Sequence, residues 1–142
     1  MEQRISAVTL GVSDLEKSRE FYEKGLGWKI TGDEGGSIYF FQVGGSVFGL
    51  YPKASLAKEA PFLPQSDGFG GITLAYNTKD KKEVDDTLKI AERAGAKILK
   101  PAEEVFWGGY SGYFADLDGY PWEIAYNPFW KLDEKGNIVL PS

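Results

Sequence analysis

Apolar and polar residues alternate from Ile5 to Val12, and this period of two predicts a β-strand with one buried face. The next four residues, Ser13–Glu16, have the Ser-x-x-Glu pattern of a capping box, so a helix is expected to begin there. Apolar side chains recur on one side of that helix, and Gly25 is expected to end it in the left-handed conformation. The chain therefore opens with a strand followed by a helix.

Three further extended segments complete the first half of the chain. One begins at Gly27, and the other two are Ser37–Val43 and Ser46–Tyr51. These last two segments flank paired glycines at positions 44 and 45, which favours a β-hairpin. The predicted order of the first half is therefore βαβββ.

The same order recurs after residue 70. A strand is predicted at Gly71–Asn77, and the Asp-x-x-Glu pattern at Asp80–Glu83 predicts a helix that ends at Gly95. The buried side of this helix has the spacing i, i+4 and i+7 and consists of Val84, Leu88 and Ala91. A short extended segment at Ala96–Leu99 and a hairpin around Asp118-Gly119 complete the second half.

The repetition predicts an α+β protein in which two βαβββ halves form one domain over residues 1–142. Half 1 spans about residues 5–51, half 2 spans about residues 71–128, and a C-terminal tail covers residues 129–142. Residues 52–70 are expected to form an irregular linker, because they contain three prolines and two glycines. Each half has too few apolar residues for a separate core, so the linker is interpreted as lying inside one domain.

The composition excludes several kinds of site. The chain has no cysteine and no histidine, which rules out zinc fingers, iron–sulfur and haem centres, and imidazole-based proton transfer. The formal charge is −5, without a segment rich in Lys or Arg, so nucleic acid is not expected as a partner. No apolar run approaches the roughly 20 residues of a membrane span, and the first residues do not resemble a signal peptide. We expect a cytoplasmic protein.

Aromatic residues make up 15% of the chain, enough to line a pocket as well as to fill a core. Trp107 and Tyr110 flank the glycine pair at positions 108 and 109, where the backbone is free to move and rings can meet solvent. Phe48 lies in a predicted strand of the first half. These three residues are the aromatic candidates for ligand binding.

Two segments resemble the vicinal oxygen chelate superfamily, which contains glyoxalases, bleomycin resistance proteins and extradiol dioxygenases. Val8–Tyr22 (VTLGVSDLEKSREFY), followed by Gly25–Trp28 (GLGW), is similar to the opening strand and helix of that superfamily. Gly112–Pro128 (GYFADLDGYPWEIAYNP) is similar to its last hairpin. The resemblance covers roughly residues 5–128, and it implies a mixed-sheet cup with one ligand site inside.

The resemblance also implies four positions that hold a divalent metal in many members of the superfamily, two from each half. In this chain those positions are Ala7, Gly49, Gly71 and Glu123. Three of the four lack a donor atom in the side chain, and one carboxylate alone binds a metal weakly. We therefore expect neither a metal of this type nor another cofactor.

Three functions remain open at this stage. The leading hypothesis is a metal-free, homodimeric protein, similar to the bleomycin resistance branch, that binds a planar or cationic small molecule through Glu123 and the aromatic candidates. The second hypothesis is a metal-independent lyase or isomerase in which Glu123 is the acid or base. The third is a regulatory or scaffold module without catalytic activity.

Overall fold

The computed structural model describes residues 1, 3, 5–59, 70 and 72–140. The chain divides into two compact units, Met1–Phe69 (unit 1) and Gly70–Ser142 (unit 2). The elements of unit 1 are β1 (Ala7–Val12), α1 (Leu15–Glu20), a π-helical turn (Phe21–Gly25), β2 (Ile30–Asp33), β3 (Tyr39–Val43), β4 (Ser46–Pro52) and α2 (Lys53–Glu59). Those of unit 2 are β5 (Leu74–Thr78), α3 (Lys81–Arg93), β6 (Lys97–Glu104), β7 (Tyr110–Ala115), β8 (Pro121–Tyr126), β9 (Lys131–Leu132) and β10 (Ile138–Val139).

Each unit contains a four-stranded mixed sheet, and the two sheets have the same topology. The strand orders are β1-β4-β3-β2 in unit 1 and β5-β8-β7-β6 in unit 2. In both sheets the first strand of the unit pairs in parallel with the last strand of the hairpin, and the other pairings are antiparallel. The predicted α+β class and the repeated βαβββ order are therefore confirmed. Among the described residues, every helix is too short or too polar to span a lipid bilayer.

The core of unit 1 is an aromatic cluster on the face of the sheet that packs against α1. Tyr22 has less than 1% of its surface exposed, and its ring lies 5.1 Å from that of Phe48 and 5.4 Å from that of Trp28. Phe41 lies opposite Phe48 in the β3–β4 ladder and contacts the same rings. The packing of these four large rings stabilises this small unit.

The core of unit 2 lies between α3 and its sheet. The predicted buried stripe of α3 is confirmed, since Val84, Leu88 and Ala91 are all buried. Opposite this helix, Phe114 of β7 stacks on Trp122 of β8 with ring centroids 6.1 Å apart. This packing fixes which side chains of β7 and β8 face the helix and which face away.

The helix boundaries correct two predictions for unit 1. The N-cap of α1 is Asp14 and not Ser13, because the Asp14 carboxylate accepts a hydrogen bond from the backbone N–H of Lys17 at 3.0 Å. The helix also does not end at Gly25, since a π-helical turn extends it and the left-handed residue is Gly27, with φ of 76°. In unit 2 both predictions are confirmed: Asp80 caps the backbone N–H of Glu83, and Gly95 has φ of 108°.

The region between the two halves also differs from its prediction. Residues 53–59 were expected to be irregular, but they form helix α2, because Ala, Leu, Lys and Glu are good helix formers. Residues 60–69 of the predicted linker lie outside the described residues. Two further strands, β9 and β10, form a short antiparallel hairpin in the C-terminal tail, for which no structure was predicted.

Candidate functional site

Tyr113 and Glu123 lie side by side on the face of the unit 2 sheet that points away from α3. A side chain at Gly112 would contact Leu88 of α3, so Gly112 faces the helix and its neighbour Tyr113 faces the opposite way. In the β7–β8 ladder Tyr113 is directly opposite Glu123, and β5 places Ala75 on the other side of Glu123. Both Tyr113 and Glu123 are partly buried.

The hydroxyl of Tyr113 donates a hydrogen bond to Oε2 of Glu123. This hydrogen bond, followed by burial and by the negative charge of Glu123, raises the pKa of Tyr113 from 10.0 to about 12. The phenol therefore stays protonated throughout the physiological pH range and holds the carboxylate in one orientation. Tyr113 is thus a permanent donor to Glu123.

The second oxygen of Glu123 is not held in the same way. In the described part of the chain, Oε1 of Glu123 accepts no hydrogen bond, and neither Lys nor Arg forms an ion pair with this carboxylate. The lysine nearest in the ladder is Lys100, opposite Tyr113, and its ammonium group pairs instead with Glu103 at 2.8 Å. A partly buried carboxylate without a cation is suited to a ligand that donates a hydrogen bond or carries positive charge.

The equivalent position in unit 1 is Gly49. In that sheet Gly49 lies between Phe40 and Thr9, as Glu123 lies between Tyr113 and Ala75. A Cβ atom at Gly49 would lie 3.3 Å from Oγ1 of Thr9 and 3.4 Å from the Phe40 ring. The two ladders therefore support the prediction that Gly49 and Glu123 are counterparts. Gly49 has no side chain at this position, whereas Glu123 has a carboxylate.

The residues at the metal positions do not fit a metal ion. Ala7 and Gly49 have no donor atom, and Gly71 lies outside the described residues. By register the counterpart of Ala7 is Thr73, which is two residues before Ala75 and has only a hydroxyl group. Over the described ranges, no three His, Cys, Asp or Glu side chains come together as a possible metal centre. The donor set offers one carboxylate where a metal needs several ligands.

Two of the three predicted aromatic ligand residues face the helix of their own unit, and the third lies in a turn. Tyr110 is on the α3 side of its sheet, where its hydroxyl donates to Asp85 at 2.8 Å, so it is not on the face that carries Glu123. Phe48 is 3% exposed in the core of unit 1, on the side of α1. Trp107 lies in the turn between β6 and β7, and its ring covers Gly109 so closely that a Cβ there would be 1.8 Å from the ring.

Sequence reasoning missed Tyr113 as a partner of Glu123, although a signal was present. The last hairpin has a three-residue loop, 117–119, with left-handed Gly119 at its end, and counting outward from that loop pairs residue 113 with residue 123, whereas a two-residue turn at Asp118-Gly119 would pair residue 114 with residue 123. A hydroxyl directly opposite a carboxylate on one face of a sheet predicts a hydrogen bond between them. The register of the hairpin thus predicts the main contact of this site, between Tyr113 and Glu123.

Comparison with known proteins places these observations in a family. Residues 4–124 match the model of the Glyoxalase/Bleomycin resistance protein/Dioxygenase superfamily. The chain is 33% identical to a glyoxalase-related enzyme from Fulvimarina pelagi, with a TM-score of 0.90 and coverage of 99% of this chain and 100% of that one. It is 25% identical to a hypothetical protein from S. aureus, with a TM-score of 0.75 and coverage of 89% and 95%. A lactoylglutathione lyase from Agrobacterium tumefaciens shares the fold at 22% identity, with a TM-score of 0.70 and coverage of 94% and 100%.

Proposed function

This chain belongs to the glyoxalase/bleomycin resistance protein/dioxygenase superfamily, and we propose that it binds a small organic molecule through Glu123 without a metal ion. The observation that carries the proposal is the state of the Glu123 carboxylate. Tyr113 holds one of its oxygens, while the other is open and lacks a neutralising cation within the described chain. Burial makes an unneutralised carboxylate costly, so a ligand that brings a donor or a positive charge stabilises it.

The preferred ligand is a planar or cationic molecule. The net charge of −5 attracts cations over long range, and Glu123 supplies the short-range contact. We further propose that Trp107, which lies in a turn with an exposed Phe106, adds a stacking contact. Neither Tyr110 nor Phe48 is included in this proposal, because Tyr110 faces α3 and Phe48 is buried against α1.

The test is a ligand screen followed by titration of variants. Planar amines that raise the melting temperature are titrated by tryptophan fluorescence against the wild type and Glu123→Gln. Gln keeps the shape of Glu but removes its charge, so cationic ligands should bind about tenfold more weakly, which corresponds to roughly 1.4 kcal/mol. Trp107→Ala should weaken binding several-fold to about thirtyfold, from loss of about 0.5–2 kcal/mol of cation–π contact.

Glu92→Gln is the matched control, since Glu92 is an exposed carboxylate on α3 and its removal changes the net charge equally. The control should leave the dissociation constant within about twofold of the wild-type value. Equal binding by wild type and a folded Glu123→Gln protein would contradict the proposal. If no ligand in a broad library raises the melting temperature, a regulatory or scaffold role becomes the better hypothesis.

A second candidate function is a metal-independent isomerase or lyase, which two observations favour. Tyr113 gives Glu123 a proton-bearing partner, and the relative from Fulvimarina pelagi is described as a glyoxalase-related enzyme. In such a reaction Glu123 would remove a proton from a carbon beside a carbonyl group and return it to a neighbouring atom. Exchange of deuterium into hydroxyacetone, followed by NMR in heavy water, tests this chemistry. Catalysed exchange that disappears in Glu123→Gln supports an enzyme, and exchange at the uncatalysed rate opposes it.

A further inference from the structure

Two turns at one end of the unit 2 sheet expose large aromatic side chains. Phe106 lies in the turn between β6 and β7 and is fully exposed. Phe129 lies in the turn after β8, where its backbone N–H donates a hydrogen bond of 2.9 Å to the side chain of Asn127, and it is 65% exposed. The two turns are neighbours, since a Cβ atom at Gly108 would lie 3.2 Å from the Phe129 ring. Turns usually carry polar residues, so these two rings form an unusual apolar surface.

The C-terminal hairpin of β9 and β10 begins next to these turns and adds an apolar face. Leu132 lies opposite Ile138, and by the same register Leu140 falls opposite Trp130. Because alternate residues of a strand share a face, these four apolar side chains lie on one face of the hairpin. Within the described ranges, β9 and β10 pair only with each other. A two-stranded hairpin is marginally stable by itself in water, so its apolar face is expected to pack on another surface.

The C-terminal apolar surface consists of the residues in these segments that are more than 40% exposed, namely Phe106, Phe129, Trp130, Ile138 and Leu140. The exposed fractions of its three aromatic residues together equal about two complete side chains, or roughly 400 Å² at about 200 Å² for each. Each partner in a standard interface buries about 800 Å², of which about 60% is apolar. This surface therefore supplies most of the apolar area that one side of a stable interface needs.

The charge of the same segment favours a second copy of the chain as the partner. Residues 129–140 contain two lysines and two acidic residues, so their net charge is zero, whereas the whole chain carries −5. Two copies therefore repel each other least when they approach through this segment. A twofold interface places one surface against itself, so apolar side chains would meet apolar side chains with no net charge on either side.

We propose that the C-terminal apolar surface is the contact between two copies of this chain. The hairpin of one copy packs on the hairpin and the aromatic turns of the other. The hairpin lies outside residues 4–124, which match the superfamily model, so the contact uses a segment that this model does not include. It involves neither Glu123 nor Tyr113, and it therefore goes beyond the function proposed above.

The test is sedimentation equilibrium of the full chain over a series of concentrations. The wild type should be a dimer at micromolar concentration. Phe106→Ser and Leu140→Ser should each raise the dissociation constant of the dimer about tenfold, because each removes an apolar side chain from the contact. Both residues are exposed, so the variants should fold, and circular dichroism checks this. Ile90→Ser is the matched control: it removes a side chain of α3 that is 43% exposed, and it should leave the dissociation constant within about twofold.

Distances between the two copies locate the contact directly. The chain has no cysteine, so one introduced cysteine can carry a spin label. Labels at Lys135→Cys, in the turn of the hairpin, should lie closer together across the dimer than labels at Glu92→Cys, near the end of α3. A monomeric wild type would overturn the proposal, as would a dissociation constant unchanged in both Phe106→Ser and Leu140→Ser. If the Glu92→Cys labels are the closer pair, the two copies meet through another surface, and the proposal is wrong.

Discussion

The hydrogen bond between Tyr113 and Glu123 predicts that this phenol ionises about a hundredfold less readily than an ordinary tyrosine. Its pKa is raised from 10.0 to about 12, first by the hydrogen bond to Glu123, then by burial and then by the charge of Glu123. At pH 11 an ordinary tyrosine is about 90% ionised, whereas one with a pKa of 12 is about 10% ionised. That contrast is large enough to measure for one residue among eight tyrosines.

The perturbation is Glu123→Gln. The hydrogen bond and the negative charge that raise the pKa of Tyr113 both come from Glu123. Burial is therefore the one cause that remains in the variant, and the pKa of Tyr113 should fall most of the way towards 10. The full difference in the pKa of Tyr113 corresponds to about 2.7 kcal/mol. Solvent screening of this partly exposed pair reduces its contribution to the free energy of unfolding to about 1 kcal/mol. Because the folded-state pKa is raised, this stabilisation is complete below pH 10 and is lost as the pH rises through 12.

The assay is the near-ultraviolet absorbance of phenolate as a function of pH. The titration of Tyr113→Phe is subtracted from that of the wild type, which isolates Tyr113, and the same subtraction is made in the Glu123→Gln background. Glu92→Gln controls for the general loss of one negative charge. If Tyr113 titrates near pH 10 in the wild type, or if Glu123→Gln does not change its titration, the two side chains are not hydrogen-bonded in solution.

Three further predictions concern stability, metal content and assembly. Gly112→Ala should lower the free energy of unfolding by about 1–3 kcal/mol in urea, because its Cβ would lie 2.7 Å from Leu88 and 2.9 Å from two backbone atoms of β6. Gly45→Ala, with no atom within 4 Å of its Cβ, should change it little. The purified protein should contain no stoichiometric transition metal, and EDTA should leave its melting temperature unchanged; tightly held metal in mass spectrometry would refute this. The chain should form a homodimer, as its resemblance to the family implies. Sedimentation that shows only monomer at micromolar concentration would contradict this prediction.

Most of the fold could be predicted because its signals are local. A period of two, a capping pattern and a glycine at a turn each act over a few residues, and these patterns located β1, α3 and both long hairpins. The errors have local causes as well. Ser13 and Asp14 are both good capping residues, so only the hydrogen bond to Lys17 decides between them. Helix α2 was not predicted, because the prolines on either side of its helix-forming residues favoured an irregular segment.

The site was harder to predict, because it depends on which residues become neighbours across strands. Glu123 was found from a family pattern, but its partner follows only from the β7–β8 register. The face on which an aromatic residue lies also cannot be read from composition. Tyr110 and Tyr113 are three residues apart in one strand, and this odd separation places them on opposite faces of the sheet. Only the second is therefore a neighbour of Glu123.

The two ladders show how one strand arrangement can hold negative charge in two ways. In unit 2 the central position carries the carboxylate itself, Glu123, and a tyrosine beside it fixes the orientation. In unit 1 the same position is Gly49, and Tyr51 of β4 donates a hydrogen bond to Glu59 of α2 in the same manner. In both cases a tyrosine hydroxyl satisfies one carboxylate oxygen without neutralising the charge. A phenol donates a proton in a hydrogen bond but brings no positive charge, so the attraction for a cation is retained while the side chain is held in place. This arrangement is the physical reason that a cationic rather than an anionic ligand is proposed for Glu123.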